Sequence, residues 1–310
     1  MSFTFLFITK GREHFGKSLS NCLILTSKFN YVNIIIIDGN KDDRVKNYLT
    51  KNFPNTIVKV IKQTKGKFVR ACLIGAANIN TNFFTFMHDD DYISPSFIEM
   101  INFAIENNTS VIGNGVVLPK ESSHFKFKNL NNFEKIKSNV LINKYYCSKK
   151  INQIYLPANP ACSVFKTEIL SIWKLTIKEI LKNKFLASYL VYKNIGQDLL
   201  LYLIALSVQK KIYYSKEYSC QFSSHQESMS VNFGTHNLGV GYWLAKKFFS
   251  KFEGNIFNHK ITFEEKFNLF FRGVIYCFKQ AYSQNKFYFH STIKLLKEII
   301  NNKKIEINYP

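Results

Sequence analysis

Four consecutive isoleucines, Ile34 to Ile37, stop on Asp38, and a second apolar run, "FFTFM", stops on His88, Asp89, Asp90 and Asp91. Unbroken apolar runs that end abruptly in charge are expected of strands covered on both faces. Helical signals separate them. "FTFLFIT" reads as a strand, "EHFGKSLSNCLILTSK" as a helix, "YVNIIIID" as a strand and "DDRVKNYLTKNF" as a helix. "TIVKVIKQ" then reads as a third strand, "FVRACLIGAANIN" as a helix and "FFTFMH" as a fourth strand. Alternation at this spacing implies right-handed βαβ units and a parallel sheet, so the expected fold class is α/β. Ligands of such sheets collect outside the carboxyl ends of the strands, which puts Asp38 and the Asp89–Asp91 run on one rim.

Beyond that sheet the pattern loosens. Ser94 and Pro95 open a helix in "SPSFIEMINFAIEN", and "SVIGNGVVL" reads as a further strand. The polar, basic stretch from Lys120 to Ile154 is expected to be a long loop or insertion. "ACSVFKTEILSIW" reads as strand turning into helix, and "GQDLLLYLIALSVQKK" as a buried helix with Asp198 at its start. From about His236 to Asn302 the chain reads as helical, aromatic and basic. The expected division is a main domain over 1–235, in halves 1–118 and 119–235, with a helical region 236–310 packed on it.

Forty-two Lys and Arg against 21 Asp and Glu leave a formal charge of +21 over 310 residues. That field favours polyanions, anionic lipid surfaces or phosphorylated substrates without choosing among them. The six cysteines are scattered with no CxxC pair, which fits reduced thiols in a cytoplasmic protein. The longest apolar run, "LLLYLIALSV", is about half the roughly 20 residues that span a bilayer, so a soluble or peripheral protein is expected.

Three adjacent carboxylates repel one another unless a cation or dense hydrogen bonding neutralises them. Open to solvent, Asp89, Asp90 and Asp91 suit Mg²⁺ or Mn²⁺, ions that also hold substrate phosphates. An acidic turn capping the helix at Pro95 is the alternative. A metal and phosphate site is the expectation for three carboxylates at a parallel-sheet rim in a chain short of acid.

The order "FTFLFITKGR", "IIIIDGNKDD", "KGKFVRACLIGAA" and "FFTFMHDDDYISPSFI" resembles the nucleotide-sugar half of a family 2 glycosyltransferase with the GT-A fold. The resemblance runs from about Ser2 to Ser230 and is specific over the first hundred residues. It implies a D-x-D-type motif after the fourth strand. Register from Gly75 and Pro95 places His88 where the family has the first aspartate, with Asp90 at the second and Asp91 following. Either Asp89 and Asp91 form the D-x-D, or Asp90 is the main ligand with His88 supporting it. The resemblance further implies that Asp38 holds the base or ribose of the donor, although an aspartate bonded to its own turn is an equal reading. Thr9 and Arg12 match the loop along the nucleotide. Cys72-Leu73 stands where the family has Arg-Asn, so Arg70 is the residue that takes over.

In the second half, "NIGQDLLLYL" resembles the helix whose acidic pair activates the acceptor. Gln197 fills the first position, leaving Asp198 as the base or as a simple complement to the helix N-terminus. His225 in "QFSSHQESMS" matches a residue near the diphosphate or metal, and Asn159 and Ser163 match acceptor-side contacts. The implied function is a metal-dependent, inverting transfer of a sugar from a nucleotide-sugar donor to a saccharide or lipid-linked acceptor in bacterial surface-polysaccharide assembly. The C-terminal helices are expected either as a plain cap or as a basic aromatic surface on the inner face of the cytoplasmic membrane. A nucleotidyltransferase would show a Gly-rich first loop that "TKGREHFGKS" lacks. A nucleic-acid-binding protein would leave the aspartates without a role, so nucleic acid is not an expected partner. His88, Gln197 and Cys72-Leu73 also fit a degenerate, inactive GT-A domain.

Overall fold

The computed structural model describes residues 1–11, 15–63, 65, 68–119, 133–147, 159–209, 211–224, 229–252, 261–282 and 286–305. The expected alternation is present through the first hundred residues. It runs β1 (Phe3–Thr9), α1 (Phe15–Thr26), β2 (Val32–Asp38), α2 (Arg44–Asn52), β3 (Lys59–Lys62), α3 (Phe68–Asn78) and β4 (Phe83–His88). Next come β5 (Asp91–Ile93), α4 (Pro95–Asn107), β6 (Val111–Pro119), β7 (Phe133–Lys137) and α5 (Ser138–Cys147). The second half holds β8 (Phe165–Lys166), α6 (Ile169–Leu181), α7 (Lys184–Ala187), α8 (Gln197–Val208) and β9 (Lys211–Ser224). Three helices follow: α9 (Met229–Ser250), α10 (Phe263–Tyr282) and α11 (Lys286–Ile300).

The central sheet has the order β3-β2-β1-β4-β8, parallel except for the short β8 against β4. All seven residues of β1 are buried, as a strand covered on both faces requires. On one face Phe3, Phe5 and Phe97 meet ring to ring, with centroids 4.7 and 5.6 Å apart along the chain of contacts. On the other face α3 lies so close to β1 that a Cβ at Gly75 would sit 2.4 Å from the Leu6 side chain. Burying each such large apolar side chain stabilises the fold by about 1.5–3 kcal/mol. Register then places the strand ends side by side, with Thr9 opposite Asp38, Asp38 opposite Lys62 and Ile8 opposite His88.

A second sheet pairs β5, β9 and β6, with β7 on β9. β9 was not expected from the sequence. Its alternation is interrupted because Ser215 and Ser219 occupy fully buried positions, Ser219 donating to the carbonyls of Asn114 and Cys162. The expected long loop after Lys120 is corrected in part, since β7 and α5 lie within it. "FEKIK" exposes most of its side chains, and α5 buries Leu141, Ile142, Tyr145 and Tyr146 in a stripe that its Asn and Lys residues obscure. Helix α4 starts as expected, with Ser94 in the extended N-cap conformation and Pro95 in the first turn.

The chain divides into two compact units that interleave along the sequence. The first comprises Met1–Ile136, Asn159–Leu170 and Ile212–His225, and the second Lys137–Ala158, Ser171–Lys211 and Gln226–Pro310. The second unit is helical and centres on α8, which is buried along nearly its whole length. There Tyr145 and Tyr202 stack at 5.6 Å, and the indole N–H of Trp243 donates to the Leu269 carbonyl.

Candidate active site

Each parallel strand of the central sheet ends in a polar residue, Thr9, Asp38, Lys62 and His88. At the end of β1 the Thr9 hydroxyl donates to Asp89 Oδ2 at 2.9 Å, and the Lys10 backbone N–H adds a contact at 3.4 Å. The Gly11 N–H in turn donates to Thr9 Oγ1, and Gly11 takes φ +63°, where a side chain would be strained. Asp89 therefore ties the first loop to the fourth strand end.

Asp38 is fully buried at the end of β2. Its Oδ1 accepts from the backbone and side-chain amides of Asn40, at 2.9 and 2.7 Å. Its Oδ2 lies 2.7 Å from the ammonium of Lys62 at the end of β3. That hydrogen bond and charge raise the Lys62 pKa above its ordinary value. Oδ1 is thus held by its own loop, the turn arrangement of such aspartates, while the buried Oδ2 has the Lys62 charge beside it but no further hydrogen-bond partner among the described residues.

The third strand end, on β4, is different. The His88 ring stands edge-on to Phe68 at 5.4 Å, and its Nδ1 is 3.8 Å from Asp91 Oδ2. One ligand atom from each of His88, Asp90 and Asp91 lies within 4.8 Å of the others, a geometry that can hold a metal ion. The three carboxylates expected to be open to solvent are instead buried, Asp89, Asp90 and Asp91 at 2, 7 and 2% exposure. Burial pushes the Asp91 carboxyl up to about 7, with Asp90 and Asp89 adding to the rise while His88 and Asn159 oppose it. Two buried carboxylates and a nitrogen, one of them unwilling to ionise unaided, are the donor set a divalent cation would relieve.

Helix α1 holds this turn from behind. The Ser18 hydroxyl donates to the Asp91 carbonyl at 2.5 Å, and Asn21 Oδ1 accepts from the Ile93 N–H at 2.9 Å. Asn159 donates to Asp91 Oδ2 at 3.1 Å while its own Oδ1 accepts from the Ala161 N–H. Sequence reasoning missed Lys62, Ser18 and Asn21. Nothing in the sequence marks Lys62, which comes level with Asp38 through strand register, whereas Ser18 and Asn21 are two polar residues three apart on an apolar helix face.

Of the expected site residues, Thr9, Asp38, His88, Asp89, Asp90 and Asp91 come together at this rim. Arg70 is exposed in the first turn of α3. Ser163 is fully buried and accepts from the Gly113 N–H. Arg12 and His225 lie outside the described residues. Asp198 is half-buried at the start of α8 in the helical unit, after Gly196 at φ +90°. Next to it, Gln197 is buried and accepts from the Trp173 indole N–H at 3.2 Å. The negative charge of Asp198 adds to burial in raising the pKa of the Tyr242 hydroxyl.

Three comparisons bear on this geometry. A family model described as glycosyl transferase family 2 matches residues 17–172, half of the chain. No curated protein matches. Among solved structures, the 1–349 fragment of S. aureus TarS aligns with a TM-score of 0.61 at 11% identity, covering 97% of this chain and 81% of that one. The same fragment in complex with UDP-GlcNAc aligns with a TM-score of 0.60 at 13% identity, with the same coverage. Likeness at that identity establishes the shared α/β fold with its helical C-terminal region.

Proposed function

This chain belongs to glycosyl transferase family 2 and is a glycosyltransferase of GT-A fold, and from that premise we propose how its rim works. The donor is a nucleotide sugar, and the acceptor is a hydroxyl of a saccharide or lipid-linked saccharide in bacterial surface-polysaccharide assembly. The observation that carries the reading is the preassembled His88–Asp90–Asp91 cluster. The crystallised complex of S. aureus TarS with UDP-GlcNAc supports the choice of donor class.

In this reading His88, Asp90 and Asp91 hold the cation. A bound divalent ion supplies charge neutralisation for the departing nucleoside diphosphate. The imidazole favours Mn²⁺ over Mg²⁺, whose preferred ligands are oxygen. Asp89 stays on Thr9 and keeps the first loop seated along the nucleotide. Asp38, with Lys62 and Asn40, forms the neighbouring wall on the nucleoside side. Asp198 accepts the proton of the acceptor hydroxyl as that oxygen attacks the anomeric carbon in line, so the configuration inverts. Residues 1–118 bind the donor and 119–235 the acceptor. The setting is the cytoplasm, and the five described buried free thiols support a reducing compartment.

The test is a thermal-shift panel of nucleotide sugars with and without Mn²⁺. One donor is expected to stabilise the protein only with metal present, and Asp90→Asn is expected to abolish that shift. A shift that survives Asp90→Asn overturns the metal assignment.

A further inference from the structure

Helix α10 turns aromatic side chains outward along its whole length. Glu265, Leu269 and Cys277 mark its buried side, and the opposite side carries Phe263, Phe267, Phe271, Phe278 and Tyr282. Their exposures are 84, 57, 55, 69 and 91%, where an ordinary surface helix presents charge. Phe263, Phe267 and Phe271 stack in sequence at 6.4 and 6.1 Å, so the stripe is continuous. On α11, Ile293, Leu296 and Ile300 are exposed as well. Large apolar residues scattered singly over a surface need no explanation, but a run of this kind marks an interaction site.

The charge around the stripe is predominantly basic. Lys266 and Lys279 on α10, Lys294 and Lys297 on α11, and Lys303 and Lys304 after it are exposed. Glu264 is the exposed acid among the described residues of these segments, since Glu265 and Glu298 are buried.

We infer that this face docks on an anionic lipid bilayer. Helix α10 lies in the interfacial plane with its Phe and Tyr rings at the headgroup–acyl boundary, and the lysines sit on anionic headgroups. Over 20 residues the helix is about 30 Å long, and it lies on the surface because no described helix is apolar enough to cross a membrane. A second copy is the poorer occupant. Face-to-face pairing would set like lysines against each other in a chain of formal charge +21. The inference is independent of the reading of the acidic rim.

The full chain is tested by co-sedimentation with vesicles of phosphatidylcholine alone or of phosphatidylcholine with phosphatidylglycerol. Binding to the anionic vesicles is expected, weakening as salt rises and as the anionic lipid is removed. The triple variant Phe267→Gln, Phe271→Gln, Phe278→Gln is expected to bind roughly tenfold or more weakly, because three buried rings are lost. Its Tm and its Mn²⁺-dependent donor shift are expected to be unchanged, since the rings are exposed in the free protein. Lys266→Glu with Lys279→Glu is expected to abolish the preference for anionic vesicles. Three results overturn the proposal: no association with anionic vesicles, association undiminished in the triple variant, or a dimer in lipid-free buffer that the triple variant dissolves.

Discussion

The helical unit and the acidic rim both bury charge, and they resolve it in opposite ways. In the helical unit the ammonium of Lys251 meets Glu298 Oε2 at 2.9 Å, and Asn183 donates to the other Glu298 oxygen at 2.7 Å. Lys247 donates to Asn302 at 2.7 Å and Lys246 to the Tyr146 carbonyl at 3.2 Å. Each of these buried ions has an acceptor supplied by the fold itself. At the rim, Asp91 has His88 and Asn159 beside it, and burial still drives its carboxyl up to about 7. A charge resolved by its neighbours holds helices together. One kept at a cost, next to further possible ligand atoms, is where the proposed cation would sit.

The comparison breaks most visibly in activity. Asp90→Asn removes an oxygen of the proposed cation site with little change of shape. Sugar transfer is expected to fall by about a hundredfold to a thousandfold, the scale for losing one electrostatic stabiliser of a leaving group. A radiolabelled-donor assay checks this, with Tm expected to stay level or rise. A variant that keeps wild-type turnover would move the cation away from β4.

On the other side, Glu298→Gln leaves Lys251 buried beside a neutral amide. Breaking a buried pair from one side costs about 3–5 kcal/mol, measurable by urea denaturation. The double variant Lys251→Met, Glu298→Leu is expected to recover most of that loss, because no unpaired charge remains. Equal losses in single and double variants would mean that packing, and not charge, sets the stability of this cluster.

The sequence declared these two regions unequally. The parallel sheet was legible because nothing interrupts its apolar runs, and their ends marked the rim without any structure. Asp38 was readable as a turn aspartate from Gly39 and Asn40, but Lys62 comes level with it only through strand register. That Thr9 binds Asp89 among the three aspartates was not readable, since it is a contact 80 residues apart that no spacing rule contains. β9 escaped because its buried serines break the alternation of an ordinary strand. In the helical unit the periodicity of α10 was plain. Which side of α10 faces outward was not, because its five phenylalanines are the exposed residues while the buried side carries Glu265 beside Leu269 and Cys277.

Proton linkage gives a third, smaller test at the rim. A folded Asp91 carboxyl at about 7 stays protonated to that pH, whereas the unfolded chain releases the proton near 3.8. Between those values the folded state binds a proton that the unfolded state lacks, so this group's contribution to stability falls as pH rises from about 4 to about 7. Asp91→Asn cannot ionise and is expected to raise Tm by a few degrees at pH 8 relative to wild type, with the advantage shrinking towards pH 5. A cation competes with the same proton, so the Mn²⁺-dependent shift in the wild type is expected to grow through neutral pH. A Tm difference that does not change with pH would show that Asp91 is charged throughout and that the contrast with Glu298 is false.

The smallest expected effect separates Asp38 from Asp91 at the rim. Asp38 resembles the helical pair more than it resembles Asp91, because Lys62 already lies 2.7 Å from its Oδ2. Lys62 is itself partly exposed, so water shares the work of solvating the pair and replacing it removes less than replacing Glu298. Lys62→Met is accordingly expected to lower Tm by less than Glu298→Gln and to leave the Mn²⁺ dependence of donor binding intact. If Asp38 forms the nucleoside wall, the same variant is expected to raise the donor KM a fewfold with kcat nearly unchanged. The carboxylate would then be freed to shift, while the groups facing the diphosphate stay in place. A fall in kcat of the size seen for Asp90→Asn would instead make Lys62 and Asp38 part of the charge-handling machinery, and the line between resolved and unresolved charge would have to be redrawn inside the rim itself.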